Sequence, residues 1–516
     1  MTKRKHVPPT TKCLMMAPPS HSYSLLFFVL SSLVVSHNAA EAPPNIVVFM
    51  ADDQDVFLGG LTPMTQTTKL LMNEGAEFEN FFVTTPVCCP SRTATLSGLY
   101  AHNLDDQKEG WCGNFASREN NTFALWLQEY GYQTGLFGKY YNSYGSFCNK
   151  NIHVPKGWTR WFTMCNDNKF FNNSFNDDGT MVIHGDQPED YMTSVIGNKS
   201  VEWLDKVARM KGVEGSSVPF FAYIAPHAPH VPATPAPWYE HTLPETKAPR
   251  TPNWGYHGAD HHWVIRQQPE FTDNLIKFSD DLFMRRWRSL LSVDDLVAAV
   301  VDVVDKAGQL NNTYFLYTSD HGYNLGQFRL PSGKFQVYDH DIRVPFLIRG
   351  PGIKPGSKMT QVASNVDISP TILDLAGVKP RYELDGKSMK PLLSDSDTSV
   401  QWRDMMLIEY WGLGYVRRGP CRNGTSPCPN DDALEDAPSN TYSAIRVINS
   451  TTNVLYADFR PRQELAAMSS ANFSEFYNLL NDPYEMHNLA NDHDADVDHY
   501  RQLLYQVALC KGTQCP

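Results

Sequence analysis

The stretch PNIVVFMADDQD, residues 44–55, sets an unbroken β-branched and apolar run directly before a cluster of acidic residues. A strand with one wet face alternates apolar and polar residues. An unbroken apolar run is dry on both faces, as in a parallel sheet covered by helices on either side. In open α/β sheets ligands bind beyond the carboxyl ends of the strands. Asp52 and Asp53 stand at such an end.

The same grammar recurs outward from this stretch. TQTTKLLMNEGAEFENFFVT (65–84) and TFALWLQEYGYQTGLFGK (122–139) each read as a helix, a glycine stop and a strand. VPFFAYIAPHAPH (218–230) is an apolar strand running into His and Pro. SVDDLVAAVVDVVDKAGQLNNTYFLYTSDHG (292–322) reads as an amphipathic helix, a turn and a strand. Alternating helices and strands predict a largely parallel sheet with helices on both faces. Asp52-Asp53, Lys139, His227 with His230, and Asp320-His321 each follow a predicted strand, so they are expected to converge.

Residues 230–275 are rich in Pro, His and Trp and read as a long ordered loop region. Within it His262 and Trp263 are candidates for shaping a pocket, or equally for packing. After LDGKSMKPLL (384–393) the texture changes. SDSDTS (394–399) reads as a linker. MMLIEYW, YSAIRVI and NVLYADF follow as short strands without long helices between them. They predict a smaller antiparallel sheet, closed by a helix near 497–509. The expected division is a leader over 1–42, a catalytic domain over 43–393 and a smaller α+β domain over 394–516.

The chain has 516 residues, 42% hydrophobic and 19% charged, which suffices for a large core. Its net charge of −12 argues against nucleic acid as a partner. A few cations in one pocket can still hold an anionic substrate. Basic MTKRKH, the apolar run 24–35 and small residues near Ala40 and Ala42 read as a secretory leader, or alternatively as a short anchor. No stable membrane insertion is otherwise expected. Seven N-x-S/T sequons, at Asn120, Asn172, Asn198, Asn311, Asn423, Asn449 and Asn472, fit a glycoprotein of the secretory pathway, extracellular or lysosomal/vacuolar. Ten cysteines suit an oxidising compartment. Removing Cys13 with the leader leaves an odd number, so at least one is free, intermolecular or altered.

Clustered carboxylates repel one another unless a cation joins them, and hard divalent cations prefer carboxylate oxygens. Asp52, Asp53 and Asp320 at strand ends fit that reading, and His321 adds a possible ligand. DD and DHG can also be ordinary turn and capping residues. Arg92 can grip an oxyanion with two parallel hydrogen bonds. Pro90 suits the first turn of a helix, whose N-terminus favours an anion. Lys139 and Lys334 would mean little singly, since a lone lysine is usually solvated.

CCPSRTATLSG (88–98) matches the sulfatase signature C-x-P-S-R followed by six residues ending in Gly. GKYYNSYG, HAPHVP, TSDHGYNLGQF, DIRVPFLIRGPGI and DPYEMHNLA follow in the family's order. From about residue 44 the chain resembles the formylglycine-dependent sulfatases, most closely the N-acetylglucosamine-6-sulfatase and arylsulfatase group. The resemblance implies an alkaline-phosphatase-like α/β fold. It implies that Cys88 is oxidised to formylglycine by a formylglycine-generating enzyme. It implies one Ca2+ held by Asp52, Asp53, modified Cys88, Asp320 and His321. Arg92, Lys139, His230 and Lys334 match catalytic positions, and His227 has a weaker claim. Tyr141 stands where many sulfatases have His. Asn142 agrees with the N-acetylglucosamine-6-sulfatase pattern and is a candidate for orienting the diol. Asn324 replaces a His of near relatives.

The implied chemistry explains the modification. A hydrated aldehyde offers one hydroxyl to attack sulfur, and loss of the proton from the second expels sulfate. His230, with Lys334, would protonate the leaving oxygen. The implied substrate is a sulfated carbohydrate or an aryl sulfate. A related phosphohydrolase is the second reading. A non-catalytic glycan-binding protein is the third, should Cys88 stay unmodified. By spacing, Cys148–Cys165, Cys421–Cys428 and Cys510–Cys515 are plausible disulfides, which leaves Cys89 for Cys112.

Overall fold

The structure, a computed structural model, describes residues 43–104, 116–142, 144, 153–165, 169–394, 400–414, 416–418, 433–461, 471–493 and 496–516. The expected leader, the linker from 395, Cys13, Cys112, Cys148, Cys421, Cys428 and Asn423 lie outside these residues.

The strands are β1 (Asn45–Ala51), β2 (Ala76–Phe78), β3 (Phe81–Phe82), β4 (Gln133–Gly138), β5 (Arg160–Met164), β6 (Ser174–Asp177), β7 (Thr180–Ile183), β8 (Phe220–Ala225), β9 (Thr313–Ser319), β10 (Phe346–Arg349), β11 (Ser357–Met359), β12 (Ala363–Ser364), β13 (Met405–Tyr410), β14 (Val416–Arg418), β15 (Ala433–Asp436), β16 (Tyr442–Ile448), β17 (Asn453–Phe459) and β18 (Phe473–Asn478). The helices are α1 (Thr65–Thr67, continued by a π turn over Thr68–Met72), α2 (Cys88–Ser97), α3 (Ala116–Glu119), α4 (Phe123–Glu129), α5 (Met192–Val207), α6 (Trp263–Arg266), α7 (Asp273–Lys306), α8 (Asp339–Ile342), α9 (Ile368–Ala376) and α10 (Val497–Val507).

Ten strands form one sheet in the order β11-β2-β10-β9-β1-β8-β4-β5-β6-β7. Strands β9, β1, β8, β4 and β5 run parallel. Antiparallel pairing enters on the flanks, where β10 meets β9 and β6 meets β5. The sheet is therefore mixed, with the expected parallel centre. All seven residues of β1 are buried. Ile46, Val48 and Met50 enter one apolar core with Phe123 of α4 and Ile372 of α9. Val47 and Phe49 enter the opposite core with Ile196 of α5 and Val297 of α7. The period-two geometry of a strand splits the run between two helical layers, which is why it is apolar from Ile46 to Ala51.

Helix α7 is longer than the sequence reading. It begins at Asp273, where the Thr272 side chain accepts a hydrogen bond from the Leu275 N–H, so it takes in residues ahead of Ser292. The second sheet is antiparallel in the order β13-β16-β17-β18, as expected, and α10 packs on it. Residues 42–516 form one compact unit. No helix among the described residues is long and apolar enough to cross a membrane.

Candidate active site

Three parallel strands and one helix deliver the site. Asp52 and Asp53 follow β1, Lys139 follows β4, and Asp320 and His321 follow β9. Cys88 is the first residue of α2, behind Val87 as its extended N-cap. Helix α2 is buried over its whole length and ends at Gly98, whose left-handed φ of 70° closes it. One ligand atom each from Asp52, Asp53, Cys88 and His321 lies within 4.8 Å of the others. Residues more than 260 positions apart in sequence thus meet at one point, as Asp53 N–H donating to Asp320 Oδ1 at 3.0 Å shows.

Cations surround this cluster. Lys139 Nζ donates to Asp52 Oδ2 at 2.7 Å. Lys334 Nζ donates to Asp53 Oδ1 at 2.6 Å and lies 3.1 Å from Cys88 Sγ. Arg92 Nε donates to Asp320 Oδ2 at 2.8 Å and its Nη1 to the Lys139 carbonyl at 3.1 Å. Burial raises the Cys88 thiol, but Lys139 and Lys334 beside it bring it well below its ordinary value. Burial would lower His321, yet Asp320 and its neighbours raise it to about 9. Burial carries Asp320 up to about 6 against the pull of Arg92. The cluster is a buried knot of carboxylates interleaved with cations.

The remaining candidates divide. His227 Nδ1 meets Asp52 Oδ2 at 2.7 Å, while its buried Nε2 has no protein partner. Burial and the adjacent His230 lower His227 to about 4, so its ring is neutral. His230 Nδ1 donates to the Val231 carbonyl at 2.7 Å, and its Nε2 stands 3.8 Å from Asp53 Oδ2. Asn142 Oδ1 is buried without a partner. His262 is elsewhere engaged: its ring stacks on Phe459 at 4.4 Å and its N–H donates to Glu475 at 2.6 Å. The described contacts give it a packing role between the loop and the second sheet. Trp263 is exposed. Asn324 donates to the Asp341 carboxylate at 3.2 Å.

Two residues at the site escaped the sequence reading. Asn365 accepts from the Thr84 N–H at 3.0 Å and donates to the Ser91 carbonyl at 3.0 Å, which fixes the start of α2. Arg286 of α7 donates to the Asp53 carbonyl at 2.6 Å. Its signal was the helical stripe of Ser279, Leu282, Phe283, Ser289 and Leu290, all buried, on which Arg286 falls in register.

Do these residues fit a divalent cation? Asp52 Oδ1 and Asp53 Oδ2 are fully buried and lack hydrogen-bond partners. Two carboxylate oxygens that accept no hydrogen bond, beside the His321 imidazole and the Cys88 side chain, form a donor set for a hard cation. They fit.

Residues 44–378, more than half of the chain, match the Sulfatase family. The chain is a sulfatase. This sulfatase is 38% identical over 517 aligned residues to human N-acetylglucosamine-6-sulfatase, covering 96% of the chain and 90% of the human protein. Its fold is similar to a structure solved with its substrate D-glucosamine-2-N,6-O-disulfate (TM-score 0.72, 21% identity, 90% of this chain and 97% of that one). It is also similar to the phosphonate monoester hydrolase of Silicibacter pomeroyi (TM-score 0.66, 20% identity, 90% and 94%). At such identities the likeness speaks for the fold alone. Family membership and the curated relative make the sulfatase a sulfuric ester hydrolase.

Proposed function

We propose that this sulfatase removes the 6-O-sulfate of N-acetylglucosamine units, with formylglycine at position 88 and one Ca2+ held by Asp52, Asp53, modified Cys88, His321 and the adjoining Asp320. The 38% identity to human N-acetylglucosamine-6-sulfatase over nearly the full length of both chains supports the substrate. The observation that carries the cofactor reading is the placement of Cys88 Sγ inside a buried carboxylate–histidine cluster with two oxygens that accept no hydrogen bond. When present, the two groups supply a nucleophilic oxygen and neutralise the sulfate charge.

The chain's own residues do the rest. Lys139 and Lys334 are both raised above their ordinary values by the carboxylates beside them, against the opposing effect of burial. They stay charged and stabilise sulfate oxygens as charge grows there. Arg92, fixed by Asp320 and by the Lys139 carbonyl, adds a third cation. His230 keeps Nδ1 on the Val231 carbonyl, so Nε2 is the atom that hands a proton to the leaving oxygen. Buried walls exclude bulk water and strengthen each of these interactions.

The six sequon asparagines among the described residues (Asn120, Asn172, Asn198, Asn311, Asn449 and Asn472) are all exposed. That supports maturation in the secretory pathway as a glycoprotein, with extracellular or lysosomal/vacuolar delivery. Mass spectrometry of the peptide around residue 88, in protein from a host able to make formylglycine, is the direct test. Formylglycine in place of cysteine, together with release of sulfate from N-acetylglucosamine 6-sulfate, is the expected result. Unmodified cysteine throughout would refute the mechanism. Faster turnover of a matched aryl phosphate than of the aryl sulfate would move the activity to phosphoryl chemistry.

A further inference from the structure

We infer that Arg286 is a positioning residue for the reaction: one buried guanidinium on α7 locks three strand-end loops into the register that the site requires. The inference rests on the site proposed above.

Arg286 is almost wholly buried in the middle of a long helix. Its Nη2 donates to the Asp53 carbonyl at 2.6 Å and to Asp55 Oδ1 at 3.1 Å, both in the loop after β1. Its Nη1 points to the Pro229 carbonyl at 3.4 Å, next to His230 in the loop after β8. Its flat face lies 4.0 Å above the Tyr323 ring, two residues beyond His321 in the loop after β9. Asp55 is tied in turn, because its other oxygen accepts from the Leu58 N–H at 2.6 Å.

The consequence falls on Asp53. This residue adopts φ of 69°, the left-handed region that residues other than glycine rarely occupy. Such a conformation persists only where its surroundings over-determine it. Here both of its backbone polar groups are pinned. The N–H is held by Asp320 Oδ1 at 3.0 Å and the C=O by Arg286. With the peptide units on either side fixed, the Cα–Cβ bond is fixed too, and Lys334 Nζ, donating to Oδ1 at 2.6 Å, holds the carboxylate in the cluster with Cys88 and His321. Without Arg286 the buried Asp53 carbonyl loses its donor, and the strained turn has a reason to relax.

Lysine cannot replace the fork. A guanidinium presents several N–H donors in one plane and still stacks on an aromatic ring, whereas an ammonium is a point charge. The contact to Tyr323 and at least one carbonyl would be lost.

The test compares wild type, R286M, R286K and L290A. Leu290 is a buried α7 residue in the core between helix and sheet, so L290A controls for simple loss of stability. Two readouts are taken on purified full-length protein: the rise in Tm of the metal-stripped protein with added CaCl2, which follows binding to the folded state, and kcat and KM with 4-nitrophenyl sulfate after CaCl2 has been restored. For R286M the expected result is at least tenfold weaker Ca2+ affinity and at least a thirtyfold fall in kcat, with KM within threefold. R286K should recover less than half of either loss on a logarithmic scale. L290A should lower Tm with both readouts unchanged. The inference is overturned if R286M matches L290A, with kcat and Ca2+ response within twofold of wild type. If wild type shows no response to Ca2+, the calcium reading fails, and the kcat of R286M against L290A still decides the role of Arg286.

Discussion

His230 and Lys334 both lie within reach of the cluster, and their geometry separates their tasks. Lys334 Nζ is held between Asp53 Oδ1 and Cys88 Sγ, so in the proposed mechanism its charge serves the sulfate and the attacking group. His230 has Nδ1 committed to the Val231 carbonyl and Nε2 3.8 Å from Asp53 Oδ2, so in the proposed mechanism Nε2 serves the leaving oxygen. A sugar alkoxide is a poor leaving group and needs a proton, while 4-nitrophenolate leaves without one. H230A should therefore lower kcat/KM on N-acetylglucosamine 6-sulfate by ~100-fold or more and on 4-nitrophenyl sulfate by less than about tenfold. K334M should lower both by ~100-fold, because charge on the sulfate grows with either leaving group. Equal losses on both substrates for H230A would remove it as the proton donor. Asp52, Asp53, Asp320 and His321 were legible in the sequence, since they stand just past runs that must be buried strands, whereas Cys88, Arg92 and Lys334 lie on a helix or deep in a loop and only the resemblance to the family singled them out. His262 looked equivalent by composition alone, and only the packing against Phe459 and Glu475 tells it apart.

Elements were legible in proportion to their burial. β1 and β8 carry long apolar runs because both faces are covered, and β9 carries a shorter one over Tyr314–Tyr317. The first half of α7 was not read, because Asp280, Asp281, Arg285, Arg286 and Arg288 mask its apolar stripe. The short turn after α2, Ala101–Asn103, was invisible for a different reason: its meaning lies wholly in tertiary contacts. His102 Nδ1 meets Glu409 Oε1 of β13 at 2.8 Å, and Nε2 donates to the Cys510 carbonyl at 2.7 Å. The turn thereby joins the end of the Cys88 helix to the second sheet and to the Cys510–Cys515 disulfide. Burial alone would lower the His102 pKa, but Glu409 beside it raises it from 6.5 to about 9. The folded-state value is above the unfolded one. The charged pair therefore contributes fully below about pH 6.5 and is lost as pH rises through 9. Urea unfolding should show wild type exceeding H102Q by roughly 2–3 kcal/mol near pH 6, with the gap closing toward pH 9. A gap that does not change with pH would reduce the contact to an uncharged hydrogen bond.

At the scale of the molecule, a ten-stranded open sheet must end somewhere, and its two ends differ. Strand β11 ends one side with Lys358, whose Nζ pairs with Glu79 at 2.8 Å. A charge on an edge strand discourages pairing with another chain. Strand β7 ends the other side with the uncharged sequence TMVI, where Met181 is 39% and Ile183 72% exposed. Two sequons flank that edge. Asn172 donates its N–H to the Gly185 carbonyl at 2.7 Å, at the open end of the β6–β7 hairpin. Asn198 precedes Lys199, whose Nζ lies 3.6 Å from Asp177 Oδ2 of β6. Glycans there would shield an edge that carries no charge of its own. Cys89 and Cys165 are disulfide-bonded and Cys88 is the free cysteine among the described residues, so thiol exchange offers no easier route to association. The expectation is that N172Q/N198Q, secreted from a glycosylating host, self-associates in light scattering while N311Q/N449Q stays as dispersed as wild type. Adding I183K to the first variant should restore dispersion by placing a charge on the edge. If both double variants behave as wild type, the strand is short enough to be harmless without cover, and the two glycans have no part in keeping the sheet closed.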